Sequence, residues 1–239
     1  MEVRNLTKVP YFYNINFYIR EGEIVGLSGL EGCGRYEVGR ALAGLITPNT
    51  GEILYNGKKI RIMNSSFALK NGICLLPRDR KGEGLFSLLN ILYNLSFVKL
   101  QEDIVLNGKK YEKVALNYID KLRIKCSSLR QNINELSGGN QQKCVVSRCL
   151  SINPIIYILE EPTRGIDIKT KVEIFEIMDN VVKKGSGILL ISSELQELIN
   201  ICDRILVMYS GRIVADLKRE EFSSEKIMMY ATGAVGSKC

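Results

Sequence analysis

Leu136-Ser137-Gly138-Gly139-Asn140-Gln141-Gln142-Lys143 is the stretch on which the reading of this 239-residue chain turns. A serine stands where a helix begins, two glycines follow it, and apolar positions then recur at helical spacing to about residue 150. Serine at that place caps a helix by accepting from a backbone N–H, and the helix N-terminus carries partial positive charge. Such a surface suits a phosphate group.

Upstream, Gly29-Leu30-Glu31-Gly32-Cys33-Gly34-Arg35-Tyr36 occupies the frame of a phosphate-binding loop, G-x-x-x-x-G-K-[ST]. It follows the short apolar run Ile24-Val25-Gly26-Leu27, a buried strand, and precedes Tyr36 to Leu45, where Val38, Ala41, Leu42 and Leu45 recur at helical spacing. Glycines let backbone N–H groups approach phosphate oxygens. Two positions depart from the rule. Arg35 replaces the lysine, bringing a planar fork in place of a compact ammonium. Tyr36 replaces the Ser/Thr whose small hydroxyl ligates Mg²⁺. Taken alone, the loop is equally well a plain glycine turn.

The remaining pattern predicts an α/β domain. Residues 2–19 alternate apolar and polar, and residues 51–63 form a hairpin around Asn56-Gly57, giving an antiparallel N-terminal β region. Residues 72–76 read as another strand. Between 84 and 135 the pattern turns mostly helical, clearest over Tyr111 to Leu122. Helices at 140–150, 169–184 and 194–200 then alternate with strands at 155–159, 187–192 and 204–208, which predicts a largely parallel sheet sandwiched by helices. We therefore expect one domain over 1–239, with an α/β core of 1–84 and 136–239 and a helical lobe of 85–135.

Composition excludes several chemistries. The chain has no histidine, so a Ser-His-Asp triad, a histidine general base and imidazole metal ligation are all ruled out. Seven cysteines with no C-x-x-C pair argue against a disulfide framework or a zinc site and read as reduced thiols. The start, Met1 to Asn5, lacks a signal pattern, and no apolar run reaches the roughly 18 to 20 residues of a membrane span, so the expected membrane role is peripheral. The net charge of +7 suits an anionic partner, but dispersed basic residues form no stripe for nucleic acid.

With the glycine loop upstream and the acidic strand end Ile155-Ile156-Tyr157-Ile158-Leu159-Glu160-Glu161-Pro162-Thr163 downstream, the serine-glycine stretch resembles the signature of the ATP-binding-cassette family. The fold implied is a P-loop NTPase-like nucleotide-binding domain. The resemblance gives Gly29, Gly32, Cys33, Gly34, Arg35 and Tyr36 to the phosphates of ATP, and Ser137, Gly138, Gly139 and Asn140 to the γ-phosphate held by a partner cassette. It puts Glu160 where an aspartate holds Mg²⁺ through water, one methylene longer than the pattern. Glu161 stands where a glutamate polarises the attacking water. Arg164-Gly165-Ile166-Asp167 matches the D-loop, Ser193 occupies the switch position of a histidine, and Arg78 replaces the Q-loop glutamine. Since Mg²⁺ tolerates little distortion and arginine cannot coordinate a cation, the metal positions Tyr36, Arg78 and Glu160 are all altered, and no metal ligand is assigned. An aromatic that stacks on adenine is sought among Tyr11, Phe12 and Tyr13, which serve equally as core packing.

The tract Glu160 to Ser193, together with Cys202-Asp203-Arg204-Ile205-Leu206-Val207-Met208, Asp79-Arg80-Lys81 and Tyr230-Ala231-Thr232-Gly233, is similar to the second cassette of ribose/galactose-type sugar importers. That resemblance implies a separately expressed half or split product of a tandem chain. It also implies a competent first cassette and permease subunits as partners, a solute-binding protein indirectly, no nucleic acid, and the cytoplasmic face of the membrane. Damage to the elements of its own site, with Ser137 to Asn140 and Asp167 kept, implies that the chain completes a partner's site. A regulatory pseudo-ATPase is the second reading, and a cassette of DNA repair or translation the third, disfavoured because no long coiled-coil insertion is present.

Overall fold

The computed structural model of the protein describes residues 1–102 and 108–234. By contacts it divides into two compact units, the first comprising Met1–Leu75, Pro154–Glu161 and the chain from Met178 onward. The alternating N-terminal pattern becomes a one-faced antiparallel sheet in the order β2-β1-β4-β5: β1 (Glu2–Lys8), β2 (Phe12–Tyr18), β4 (Thr50–Tyr55) and β5 (Lys58–Ile60). The β4–β5 hairpin turns at Asn56-Gly57, both with positive φ, as a tight two-residue turn demands.

A six-stranded sheet runs β10-β9-β3-β8-β7-β6. Its members are β3 (Ile24–Gly29), β6 (Ile73–Leu76), β7 (Ile156–Glu160), β8 (Gly187–Ile191), β9 (Arg204–Tyr209) and β10 (Arg212–Lys218). β3 is parallel to β8 and β9, and β7 to β8, whereas β10 returns antiparallel along β9. Every residue of β7 and β8 is buried, as parallel strands covered on both faces require. One apolar cluster spans both sheets, including Leu6, Phe12, Leu27, Leu42, Ile158 and Leu206. The buried guanidinium of Arg204 also ties the sheets together. It donates to Glu23 at 2.9 Å, to Asp216 at 2.7 Å and to the Tyr18 carbonyl at 2.6 Å.

The helix after the glycine loop, α1 (Arg35–Leu42), buries Val38, Gly39, Ala41 and Leu42. It stops before the expected Leu45 because Gly44 takes a φ of +72° and returns its N–H to the Ala41 carbonyl. The patterns given above did not reveal α2 (Ser65–Lys70), β10 or α8 (Ser224–Ala231).

The second unit comprises Leu76–Asn153 and Pro162–Ile177. It contains α3 (Ile91–Glu102), α4 (Gly108–Lys121), α5 (Gly138–Ile152) and α6 (Ile168–Val182) as far as Ile177. α3 packs on both α4 and α5. The unit is therefore wider than the helical lobe expected at 85–135, of which residues 103–107 lie outside the described chain. Buried Asn94 donates to the carbonyls of Phe86, Leu89 and Asn90 and accepts from the Phe86 N–H, so it satisfies the turn that opens α3. The α7 helix (Leu195–Ile201) belongs to the first unit.

The six cysteines described are free thiols. Among the described residues no helix is long and apolar enough to cross a membrane.

Gly39 governs how closely α1 lies on the sheet: a Cβ there would sit 2.7 Å from Ile191 Cδ1 and 3.2 Å from Ile158 Cγ2. Gly39→Val forces β7, β8 and α1 apart. Urea unfolding is expected to show a loss of about 2–3 kcal/mol through the midpoint, with the slope unchanged.

Candidate functional site

The glycine loop joins β3 to α1. Its last glycine, Gly34, has φ of +96° and lies against the Tyr11 carbonyl, which a Cβ would strike, so only glycine fits there. The loop brings Arg35 and Tyr36 into the interior, both nearly fully buried. Arg35 folds back on its own loop. One guanidinium nitrogen donates to the Gly29 carbonyl, and another to the Tyr36 hydroxyl at 2.9 Å and the Glu31 carboxylate at 3.3 Å. Its carbon stacks 4.6 Å from the centre of the Tyr36 ring. Its Nε is buried without a hydrogen-bond partner among the described residues.

Tyr36 passes the connection onward. Its hydroxyl donates to Glu161 Oε1 at 2.6 Å. The same oxygen accepts the Ser193 N–H at 2.8 Å, and Oε2 accepts the Ser193 hydroxyl at 3.2 Å. Glu161 sits just past β7 with φ of +46°, held there by its N–H to the Ile191 carbonyl at 2.8 Å. A non-glycine residue in that region is strained, and the surrounding bonds hold it. Burial, and then the bond to Glu161, raise the Tyr36 phenol above its ordinary value, so it remains a donor. Burial likewise raises the Cys33 thiol.

Glu160, the preceding carboxylate, is fully buried. Arg40 faces it fork to fork, Nε 3.3 Å from Oε1 and Nη2 3.4 Å from Oε2. The sequence reading did not single out Arg40. The available signal was its spacing: four residues after Tyr36 on one helix, it shares Tyr36's face and therefore meets the same strand end.

In the second unit, Ser137 is exposed and caps α5, accepting from the Asn140 N–H at 3.5 Å and the Asn140 side-chain amide at 2.9 Å. Asn140 also accepts from the Lys125 N–H at 2.9 Å. Gly138 and Gly139 are packed closely. A Cβ on the first would lie 3.1 Å from Arg80 and 3.2 Å from the Gly165 carbonyl, and one on the second 2.7 Å from the Thr170 hydroxyl and 3.3 Å from Asp167. Asp167, although exposed, accepts from the Thr170 N–H at 3.0 Å and hydroxyl at 2.8 Å, so within this chain it caps α6. Those bonds, the backbone one first, hold its carboxyl below the usual range. Arg78 is exposed in the turn after β6.

Thus Gly29, Gly32, Cys33, Gly34, Arg35, Tyr36, Glu160, Glu161 and Ser193 gather in the first unit, and Arg78, Ser137, Gly138, Gly139, Asn140 and Asp167 belong to the second. The aromatic candidates separate by burial. Phe12 is fully buried in the core, Tyr11 is about half exposed beside the loop, and Tyr13 lies under Arg212.

A family model described as ABC transporter matches residues 12–164. The chain belongs to the ABC transporter family. It is 44% identical to a xylose import ATP-binding protein from Moorella thermoacetica, in an alignment that covers 98% of this chain and 48% of the relative. It is 41% identical over 237 residues to a ribose import ATP-binding protein from Caldanaerobacter subterraneus, again 98% of this chain and 48% of the relative. The chain spans about half the length of these curated relatives. Among solved structures, a dimeric bacterial ABC transporter cassette superposes with a TM-score of 0.79 at 23% identity, covering 92% of this chain and 99% of the other. The ATP-binding subunit of another ABC transporter gives 0.78 at 22% identity, with 97% and 98% covered. The fold is that of an ABC ATPase cassette.

The ABC transporter family implies ATP with Mg²⁺, and the oxygen positions of this site do not fit the metal. Glu160 faces a guanidinium on both oxygens, Glu161 is occupied by Tyr36 and Ser193, and a phenol stands where a small hydroxyl would ligate.

Because the folded state raises the Tyr36 phenol above its unfolded value, its contribution to stability is complete below pH ~10 and is lost as pH climbs through the folded value. Tyr36→Phe removes the donor to Glu161 and the acceptor of Arg35. It should cost about 1–3 kcal/mol at neutral pH and make the alkaline decline shallower than in wild type, as urea unfolding across pH will show.

Proposed function

We propose that this chain is one cassette, the second, of a tandem monosaccharide importer ATPase of the ribose/galactose type. In this reading its own nucleotide site is catalytically silent, and its signature serves the site of a competent partner cassette. The observation that carries the reading is the state of Glu161, whose oxygens accept from Tyr36 and Ser193. With both acceptor sites of Oε1 and one of Oε2 engaged, the carboxylate is tied to Tyr36 and Ser193 and keeps a single site for the water that a base must polarise. The signature offers an exposed serine cap at the N-terminus of a 15-residue helix.

The expected cycle follows from this division. ATP drawn between the partner's glycine loop and this chain's Ser137, Gly138 and Gly139 closes the pair, with Asp167 at the rim. Release after hydrolysis reopens it and moves permease subunits docked on the helical lobe, 85–135. The solute-binding protein is reached only through the permease. The chain's place is then peripheral, on the cytoplasmic face of the membrane, with 1–84 and 136–239 as its nucleotide-binding core.

The test reconstitutes the chain with a competent first cassette and permease in vesicles. Gly138→Asp places a negative side chain beside the incoming phosphate and against Arg80 and the Gly165 carbonyl, so transport and ATPase activity should fall by about 10²-fold or more. Arg35→Ala alters only the silent site and should reduce both by less than about threefold. Equal tolerance of the two would replace this reading with a nucleotide-binding regulatory module that has no useful turnover.

A further inference from the structure

Two buried carboxylates and two guanidinium groups make up the interior of the chain's own site. Arg40 covers both oxygens of Glu160. Arg35 lies against the Tyr36 ring and bonds its hydroxyl, which in turn bonds Glu161. Arg40 offsets the charge of Glu160 without a metal, Glu161 is held by the neutral donors of Tyr36 and Ser193, and Arg35 pairs with Glu31. A buried carboxylate attracts a divalent cation strongly when nothing else compensates it; here Glu160 is paired with Arg40, and Glu161 is hydrogen-bonded by Tyr36 and Ser193. Arg40 is also tethered one helical turn from Tyr36, so it competes at a high effective concentration with any metal in solution.

We infer that this cassette's own loop takes a metal-free polyphosphate chain, with Arg40 acting as the built-in cation on Glu160 in place of a divalent ion. The ligand class is the free nucleotide rather than its metal complex. Without a metal, the cation that the loop itself carries is Arg35, whose bonds to exposed Glu31 and to the Tyr36 hydroxyl would exchange for phosphate oxygens. The guanidinium has five donors, and its buried Nε has no partner among the described residues. Gly32 marks the open side, because a Cβ there would meet nothing within 4 Å. The inference rests on the nucleotide-binding part of the proposed function and is independent of the role in a partner's site.

The experiment uses the isolated full chain, with Mn²⁺ alone and ATP as probes, so a failure here leaves the signature's role in a partner untouched. Electron paramagnetic resonance of Mn²⁺ should keep the full free-ion signal at an equimolar, roughly 100 μM, mixture with the chain. Calorimetry should give an ATP affinity in excess EDTA equal to or tighter than that in excess Mg²⁺, and Arg35→Ala should weaken the EDTA value by about fivefold or more. The paired change Arg40→Gln with Tyr36→Ser uncovers Glu160 and Glu161 and should create stoichiometric Mn²⁺ binding. Bound Mn²⁺ in the wild type, an affinity about tenfold tighter with Mg²⁺, or no ATP binding in EDTA overturns the inference. A folded Arg40→Gln/Tyr36→Ser chain that binds no Mn²⁺ overturns the role of Arg40. If that chain does not fold, the wild-type and Arg35→Ala measurements decide.

Discussion

The close approach of α1 to β7 and β8 at Gly39 is the constraint from which the rest of the site follows. With no side chain between helix and strands, Ile158 and Ile191 pack directly on the helix backbone. The residues on either side of Gly39 along that face, Tyr36 and Arg40, then come within bonding distance of consecutive carboxylates at the end of β7. The two pairs, Tyr36 with Glu161 and Arg40 with Glu160, are one helical turn and one strand residue apart. The site's electrostatics are thus a consequence of packing.

Within this frame the chain divides its chemistry unequally. On the loop side, each group that could act on a nucleotide is engaged with another group of the same chain: Arg35 with Gly29 and Tyr36, Tyr36 with Glu161, Glu161 with Ser193. At the signature, the Ser137 hydroxyl caps α5 through Asn140, and the serine stays exposed. A network closed on itself stabilises the fold and resists rearrangement, because breaking any member leaves a buried polar group unpaired. An exposed helix terminus keeps its partial charge available to an anion from outside.

Much of the fold was legible because its signals are local. The fully buried β7 and β8 read as unbroken apolar runs, the hairpin was marked by Asn56-Gly57, and Ser137 announced the start of α5. The elements missed have weaker signals. β10 alternates on an edge of the sheet, and α2 and α8 are short helices of six and eight residues, whose formation depends on tertiary packing. The altered loop positions were visible as departures from a motif. What they do instead was not visible, since the Tyr36–Glu161 contact joins residues 125 apart and the Arg40–Glu160 contact residues 120 apart. Arg40 lies outside every motif, so only the geometry of α1 brings it forward. The likeness of Asp167 to a D-loop residue was legible from sequence, whereas its bonds to Thr170 as a helix cap were not.

The central claim is that internal bonding removes Glu161 from catalysis. It is tested most directly by the rate at which the isolated chain releases phosphate from γ-labelled ATP in saturating Mg²⁺, measured beside Glu161→Gln. One lost transition-state group commonly lowers a rate by about 10²-fold or more, and several are altered here, so the account predicts release indistinguishable from buffer for both proteins. A Mg²⁺-dependent turnover that Glu161→Gln abolishes would contradict it.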